Sequence, residues 1–363
     1  MVDEFNKTHP EIQVDAVFTG SYADTATKTI AALAANSLPE GGLIPAAPLF
    51  TGRAGNYKIL QYMAGPNGID MDDFFPVFWD YNKYRGKIAS LPFNNSTPVL
   101  YYNKDLLKQA GLDPERPPAT WEEMVQAARR AAPAGGWGVV MDNPDWSLKA
   151  LILQSGGRIM NDDSTAPAFN SPEGVEAMRF VKRLVDERLM PVWMHNRARD
   201  QFKSGRAVFM YGTTGAVGDV MEAVRFDWNT AFLPANRRYG VTVGGAALAL
   251  FPSTPEKERA TWTFLRWLLT PENVVRWSIG TGYVPVRSSV ATFPMLQEFF
   301  RRHPQYRAGY EQLVYAQTYE HFWEMGAMDN FLREAMEKVE RGVATPEAAL
   351  GEADRRLREE MGI

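Results

Sequence analysis

Ser90-Leu91-Pro92-Phe93-Asn94-Asn95-Ser96-Thr97-Pro98-Val99-Leu100-Tyr101-Tyr102-Asn103-Lys104-Asp105 carries two signals in one line. Val99 to Tyr102 is a β-branched and aromatic run, which predicts an extended strand. The residues before it, Asn94-Asn95-Ser96-Thr97-Pro98, are small and polar and read as a loop. After it, Asn103-Lys104-Asp105 opens a helical pattern at Leu106-Leu107. A loop rich in amides and hydroxyls therefore abuts a strand that must be buried. Such groups carry donors and acceptors together, which suits recognition of a neutral polyol. The same residues also make an ordinary turn, and residue type alone does not separate the two readings.

Working outward toward the N-terminus, residues 3–7 read as the last turn of a helix, broken at His9-Pro10. Residues 12–18 alternate like a half-buried strand. Gly20-Ser21-Tyr22 turns, and residues 22–35 form a helix. A compact domain rarely begins on a helix's final turn, so a first strand and most of a first helix are expected to be absent from this chain. Residues 38–70 are dense in glycine and proline and read as irregular, with helix only near 57–63. Phe74, Phe75, Phe78, Trp79, Tyr81 and Tyr84 make an aromatic patch, where Asp72 and Asp73 are placed to cap a short helix.

Toward the C-terminus, Gly111 ends one helix and Thr120-Trp121-Glu122-Glu123 opens the next as a capping box. Strands are expected at 138–141, 208–211, 230–233 and through 246–251, with small polar turns at Gly212-Thr213-Thr214-Gly215 and Gly244-Gly245. Ser171-Pro172, Thr270-Pro271 and Thr345-Pro346 mark helix starts. Strands alternating with helices argue an α/β class with covered sheets.

The bulk numbers exclude more than they assign. A chain of 363 residues is long enough for two domains. A net charge of −4 leaves no basic field for nucleic acid. With no cysteine, disulfides, thiolate metal sites and a cysteine nucleophile are all removed. The four histidines, His9, His195, His303 and His321, have no metal-ligand spacing. No apolar run of about 18 residues is present, and Met1-Val2-Asp3-Glu4-Phe5-Asn6 is not a signal peptide. Ten tryptophans exceed what a core needs and fit a surface that stacks on sugar rings.

Motif order then becomes informative. Phe5-Asn6-Lys7-Thr8-His9-Pro10-Glu11-Ile12-Gln13-Val14, Leu100-Tyr101-Tyr102-Asn103-Lys104-Asp105, Pro118-Ala119-Thr120-Trp121-Glu122-Glu123-Met124, Gly205-Arg206-Ala207-Val208-Phe209-Met210, Thr270-Pro271-Glu272-Asn273 and Gly282-Tyr283-Val284-Pro285-Val286 follow one another along nearly the whole chain. In that order they resemble the extracytoplasmic solute-binding proteins of ABC importers, carbohydrate-binding branch. Gly20-Ser21-Tyr22 and residues 93–105 are most like the glycerol-3-phosphate and glycerophosphodiester binders.

The resemblance implies a two-lobed α/β periplasmic-binding-protein fold with a ligand cleft between lobes and a multi-strand hinge. Lobe 1 is expected over 1–100 plus 250–300, and lobe 2 over 101–249 plus 301–363. It further implies ligand contacts at Tyr22, at Ser96, at the hydroxyl of Thr213 or Thr214, at the backbone amide of Gly244 or Gly245, and at Tyr283, with cleft tryptophans at Trp137 and Trp146; Trp323 is a further candidate contact from its residue type alone. Two features depart from those binders. No acidic residue stands out in the segment 39–51. Glu320-His321-Phe322-Trp323 lacks the arginine that would pair with phosphate, so a neutral saccharide or a glycerophosphodiester stands beside a phosphomonoester.

Each residue also has a plainer reading. Tyr283, Trp146 and Trp323 could be core aromatics, and Gly244-Gly245 could serve close packing alone. Asp142 and Asp145 suit sugar hydroxyls or solvent equally, and His321 suits a structural role. The expected function is capture of a sugar, glycerol phosphate or glycerophosphodiester by a monomer, by lobe closure, for delivery to a membrane permease. The location implied is periplasmic or extracytoplasmic and membrane-associated. No catalysis, cofactor, metal or nucleic acid is expected. The competing readings are a secreted glycosidase-type enzyme working through two carboxylates, and a truncated binding protein without function.

Overall fold

Backbone groups that leave water must find partners, and this requirement decides which extended segments become strands. In the computed structural model, which describes residues 1–363, the strands in chain order are β1 (Gly41–Pro45), β2 (Lys83–Tyr84), β3 (Lys87–Ile88), β4 (Leu91–Ser96), β5 (Pro98–Asn103), β6 (Trp137–Met141), β7 (Ala207–Thr213), β8 (Trp228–Ala231), β9 (Val241–Thr242), β10 (Gly244–Leu250) and β11 (Ala316–Gln317). The chain forms two compact units. The first comprises Met1–Asn95, Gly244–Gln297 and Glu320–Phe322, and the second Ser96–Val243, Glu298–Tyr319 and Trp323–Ile363. No helix is long and apolar enough to cross a membrane.

The first unit is built on a three-stranded sheet of order β1-β10-β4. β1 and β10 run antiparallel, with Gly41 opposite Leu250 and Pro45 opposite Ala246. Ile44, Ala47, Phe50, Ala247, Ala249 and Phe251 make a core against it. Position 245 has to be glycine: its φ is +112°, and a Cβ there would lie 2.0 Å from the Asn94 carbonyl oxygen. A buried ion pair holds the loop after Tyr283. The Asp73 carboxylate accepts from Arg287 Nε at 2.6 Å and from Ser289 N and Oγ, each at 2.7 Å. Burial raises the Asp73 pKa, but the bonds from Ser289 and Arg287 outweigh it and hold the carboxyl below its ordinary value.

The second unit carries a four-stranded sheet of order β6-β7-β5-β8. β5 is antiparallel to both neighbours, while β6 and β7 are parallel. Every residue of β5 is buried, as a β-branched and aromatic run on a central strand requires. Val99 and Tyr101 pack with Val140, Phe202, Met210 and Trp228. Parallel neighbours need a crossover, and the helices Pro144–Gln154, Pro172–Asp186 and Ala198–Lys203 supply it.

Four sequence expectations fail, each for a physical reason. Residues 12–18 form no ladder: Ile12 and Val14 are half-buried, but Val17 and Phe18 are 81% and 91% exposed, and alternation without a neighbouring strand makes no sheet. The polar run 94–97 is not a loop up to Ser96, because β4 continues through Asn94 and Asn95 with every residue buried. The segment 38–70 holds β1 and the helices Ala47–Arg53 and Ile59–Ala64. Its prolines sit where a missing N–H costs nothing, Pro45 at the end of an edge strand and Pro48 in a first helical turn. The short helical turn at Met71–Asp73 is capped by Asp70, whose Oδ1 accepts from Asp72 N at 3.1 Å.

Glycine substitutions separate strain from propensity. Gly245→Ala should cost about 3 kcal/mol through the positive φ and the collision with Asn94. Gly280→Ala, in a helix with nothing near its added Cβ, should instead gain about 0.5–1 kcal/mol. Urea unfolding of the two variants should move in opposite directions.

Candidate functional site

In the first unit the local structure aims two tyrosines at one point. Ser21 caps the helix Tyr22–Ala34 in a reciprocal box with Asp24, which sets Tyr22 as its first residue. Gly282, at φ +85°, ends the helix Pro271–Thr281 in the left-handed region. The chain then bridges to β4 through Val284 N and Asn95 O at 2.9 Å, which fixes Tyr283 between the two anchors. The hydroxyls of Tyr22 and Tyr283 lie 2.9 Å apart. Asn94 Nδ2 donates to Tyr22 Oη at 2.8 Å. Burial first, and then the Tyr283 hydroxyl, push the Tyr22 phenol far above its ordinary pKa, so it stays protonated.

Gly244 and Gly245 lie beside this pair. The Gly244 carbonyl accepts from Asn95 Nδ2 at 3.3 Å, and the Gly245 carbonyl from Tyr81 Oη at 3.3 Å. The two glycines, expected as a turn, instead open strand β10; without a Cβ, Gly245 allows it to pack closely on β4, and both offer their carbonyls to neighbouring side chains. His321 is buried with its ring edge-on to Tyr81 at 4.6 Å.

In the second unit, the carboxyl ends of β6 and β7 meet the start of β5. Thr213 lies opposite Pro98, and Thr214 N donates to Thr97 O at 3.1 Å. Ser96, buried, immediately precedes Thr97. The two threonine hydroxyls act as acceptors for backbone: Thr213 Oγ1 from Gly215 N at 3.2 Å, Thr214 Oγ1 from Thr97 N at 3.4 Å. Each hydroxyl keeps its hydrogen to donate. The carboxyl ends of parallel strands are where open α/β sheets take ligands.

The helix Pro144–Gln154 leaves this same end, with Trp146 half-buried in its first turn. Asp142 and Asp145, open to either reading in the sequence, are both committed to arginines. Arg199 reaches Asp142 Oδ2 at 2.7 Å, and Arg333 reaches Asp145 Oδ1 at 2.9 Å. One turn on, buried Lys149 pairs with Asp329 and lies 5.7 Å over the Tyr319 ring. Burial pulls the Lys149 pKa down, but the charges of Asp329, Tyr319 and Asp145 outweigh it, and the ammonium is held above its ordinary range. No group of histidine and carboxylate side chains comes together that could hold a metal ion.

The structure thus gathers Tyr22, Tyr283, Gly244 and Gly245 in the first unit, and Ser96, Thr213, Thr214 and Trp146 at one sheet end in the second. It does not bring Trp137 there. Trp137 opens β6 opposite Ala207, and a five-residue strand puts it about 13 Å from the Met141 end. It packs against the Val99–Tyr101–Phe202 core instead. Trp323 is 40% exposed, just ahead of the helix Met325–Glu340. Sequence reasoning missed Trp277, Lys149 and Asp329, whose partners lie far along the chain.

The two helix-to-helix ion pairs make a testable claim on stability. Lys149→Met should cost about 3 kcal/mol by stranding Asp329 beside Asp145. Adding Asp329→Leu should return most of that loss, measured as recovery of the thermal midpoint.

With this geometry in place, comparison with known proteins is informative. The family model of bacterial extracellular solute-binding proteins matches residues 1–308. The sn-glycerol-3-phosphate-binding periplasmic protein UgpB of Pectobacterium atrosepticum is 26% identical, with 97% of this chain and 85% of that one covered. Its counterpart in Salmonella typhimurium is 24% identical, at 97% and 86%. Among solved structures, the cyclic alpha-maltosyl-1,6-maltose binding protein from Arthrobacter globiformis matches with TM-score 0.87 and 25% identity over 99% and 94% of the two chains. UgpB from Mycobacterium tuberculosis, solved in complex with glycerophosphocholine, shares the fold at TM-score 0.86 and 23% identity, over 98% and 92%. A family match that spans most of the chain, on the two-unit α/β fold described above, places this protein among the bacterial extracellular solute-binding proteins.

Proposed function

We propose that this protein is the ligand-capturing component of an ABC importer, and that its ligand is a sugar or a glycerophosphodiester rather than a phosphomonoester dianion. The observation that carries the ligand class is the combination of hydroxyl and amide groups with cations that are already neutralised. Tyr22, Tyr283, Thr213 and Thr214 offer hydroxyls. Arg199, Arg333 and Lys149 each face a carboxylate of their own. A dianion would meet no uncommitted cation among these groups, and desolvating it without one is costly.

The ligand contacts proposed are Tyr22, Gly244, Gly245 and Tyr283 from one unit and Ser96, Trp146, Thr213 and Thr214 from the other. A ligand that engages both sets stabilises whichever arrangement of the chain lets both engage it, and capture is then a population shift. The groups named bind without transforming: none is a nucleophile paired with a base, and the carboxylates nearby are held in ion pairs. Action outside the cytoplasmic membrane, in the periplasm, as a monomer that delivers to a permease, is the reading in keeping with the family and with the periplasmic relatives.

A calorimetric and thermal-shift screen with glucose, maltose, trehalose, glycerophosphocholine and glycerol-3-phosphate tests this. A sugar or the diester should raise the midpoint, with affinity nearly independent of salt. Strongest binding by glycerol-3-phosphate, weakening steeply with salt, would refute the ligand class, and turnover of an oligosaccharide would refute the binding role. Tyr283→Ala should weaken the best ligand more than tenfold while leaving the unliganded midpoint within about 2 °C, on the scale where 1 kcal/mol is a few degrees.

A further inference from the structure

The tyrosine pair of the first unit is the end of a longer chain. Trp277 Nε1 lies 2.8 Å from Asn94 Oδ1, Asn94 Nδ2 lies 2.8 Å from Tyr22 Oη, and Tyr22 Oη lies 2.9 Å from Tyr283 Oη. An indole N–H can only donate. It therefore decides which end of the Asn94 amide is oxygen. Asn94 is 3% exposed, so its amide has no water-filled alternative. The amide nitrogen, a donor only, then faces Tyr22, whose oxygen must accept. Trp277 is itself held by Phe93, with ring centroids 4.9 Å apart.

The consequence is a count of hydrogens. The Tyr22 hydrogen is turned away from Asn94, and the Tyr283 oxygen lies within its reach. If Tyr22 donates to Tyr283, the Tyr283 O–H leaves the pair. If Tyr283 donates back, Tyr22 accepts twice and its own O–H leaves. Either way one hydroxyl hydrogen points out of the pair, and successive bonds polarise one another along the chain.

We infer that Trp277 and Asn94 are positioning residues that set the polarity of the Tyr22–Tyr283 pair, so that it delivers an O–H to an oxygen acceptor on the ligand. A hydroxyl, ether or phosphoryl oxygen satisfies that O–H. The inference rests on the proposed role of Tyr22 and Tyr283 as ligand contacts.

Asn94→Asp reverses the chain with almost no change of shape. The ionised carboxylate still accepts from Trp277, but its second oxygen takes the Tyr22 hydrogen, Tyr22 then accepts from Tyr283, and no O–H leaves the pair. Protonating the carboxyl restores a donor. The wild type, Asn94→Asp and Trp277→Phe are titrated calorimetrically with the same five ligands at pH 7.5 and at about pH 4, near where an aspartate takes up its proton. For the best uncharged ligand, Asn94→Asp should bind at least tenfold more weakly at pH 7.5 and recover most of that loss at the lower pH. Trp277→Phe keeps the ring against Phe93 but frees the amide to turn, and should lose threefold or more at both pH values. Relief of a buried charge would also restore Asn94→Asp at the lower pH, so the loss in Trp277→Phe, which adds no charge, is what assigns the recovery to polarity; a merely structural role would lower the unliganded thermal midpoint of Trp277→Phe without the matching loss of affinity. Undiminished binding by both variants, or a pH-independent loss in Asn94→Asp, overturns the inference. Failure of the wild type to bind any of the five overturns the parent reading, and is told apart because it needs no variant.

Discussion

Asn94 is a buried amide, and the whole proposed ligand end of the first unit depends on its being satisfied. An amide moved from water into a protein interior without partners costs several times what a hydrogen bond returns. Here the oxygen has the Trp277 indole and the nitrogen has the Tyr22 hydroxyl, at 2.8 Å each. The backbone of the same residue lies against Gly245, which can approach only because it has no Cβ. One position in β4 therefore joins a helix that starts at Tyr22, a helix that carries Trp277 and the start of β10. Replacing it disturbs three elements at once, which is why its environment is so closely specified.

The second unit solves a different problem. Three of its ion pairs, Arg199–Asp142, Arg333–Asp145 and Lys149–Asp329, lie around the first turns of a helix that leaves the sheet at the proposed ligand end. Buried ion pairs add little net stability over apolar packing, but losing one partner is expensive. In the proposed site, such pairs would cancel the net pull of their cations on an anion. Hydroxyls already used as acceptors by backbone N–H groups then become the groups with capacity left.

How much of this was legible in the sequence follows from the range of each cause. Caps and helix starts depend on residues within one turn, and the Thr120 cap and the starts at Thr270-Pro271 and Thr345-Pro346 read correctly, though Glu123 closes on Ala119 N rather than on the cap itself. The central strand Pro98–Asn103 read correctly because it is buried on both faces and its residues say so. β4 was hidden: Asn94 and Asn95 look like loop residues until their partners are known, and these lie from 72 to 189 positions away. β1 was hidden by glycines and a proline that an edge strand tolerates. Residues 12–18 show the converse error, since periodicity reports a face and says nothing about a neighbour. Of the site, the hydroxyl-bearing residues came from ordered motifs, while the supporting Trp277 and the Lys149–Asp329 pair left no local trace. Trp137 opens β6 and so lies at its amino end, whereas the proposed site is at the carboxyl end; the expectation came from motif resemblance, which does not weigh that direction.

Charge and hydrogen-bond direction select ligands separately, and in the proposed reading both narrow the choice. Paired cations select against a dianion, because its desolvation has no Coulombic return. In the proposed site, hydroxyl hydrogens left over at Thr213 and Thr214, and at the Tyr22–Tyr283 pair, would favour oxygen acceptors. A sugar meets both conditions through its ring and hydroxyl oxygens. A phosphodiester also meets them, since its single charge is spread over two oxygens that neutral donors can hold. A phosphomonoester meets the second condition and fails the first. What divides those chemistries in this protein is therefore local: whether a cation near the hydroxyls is free or already spent on a carboxylate.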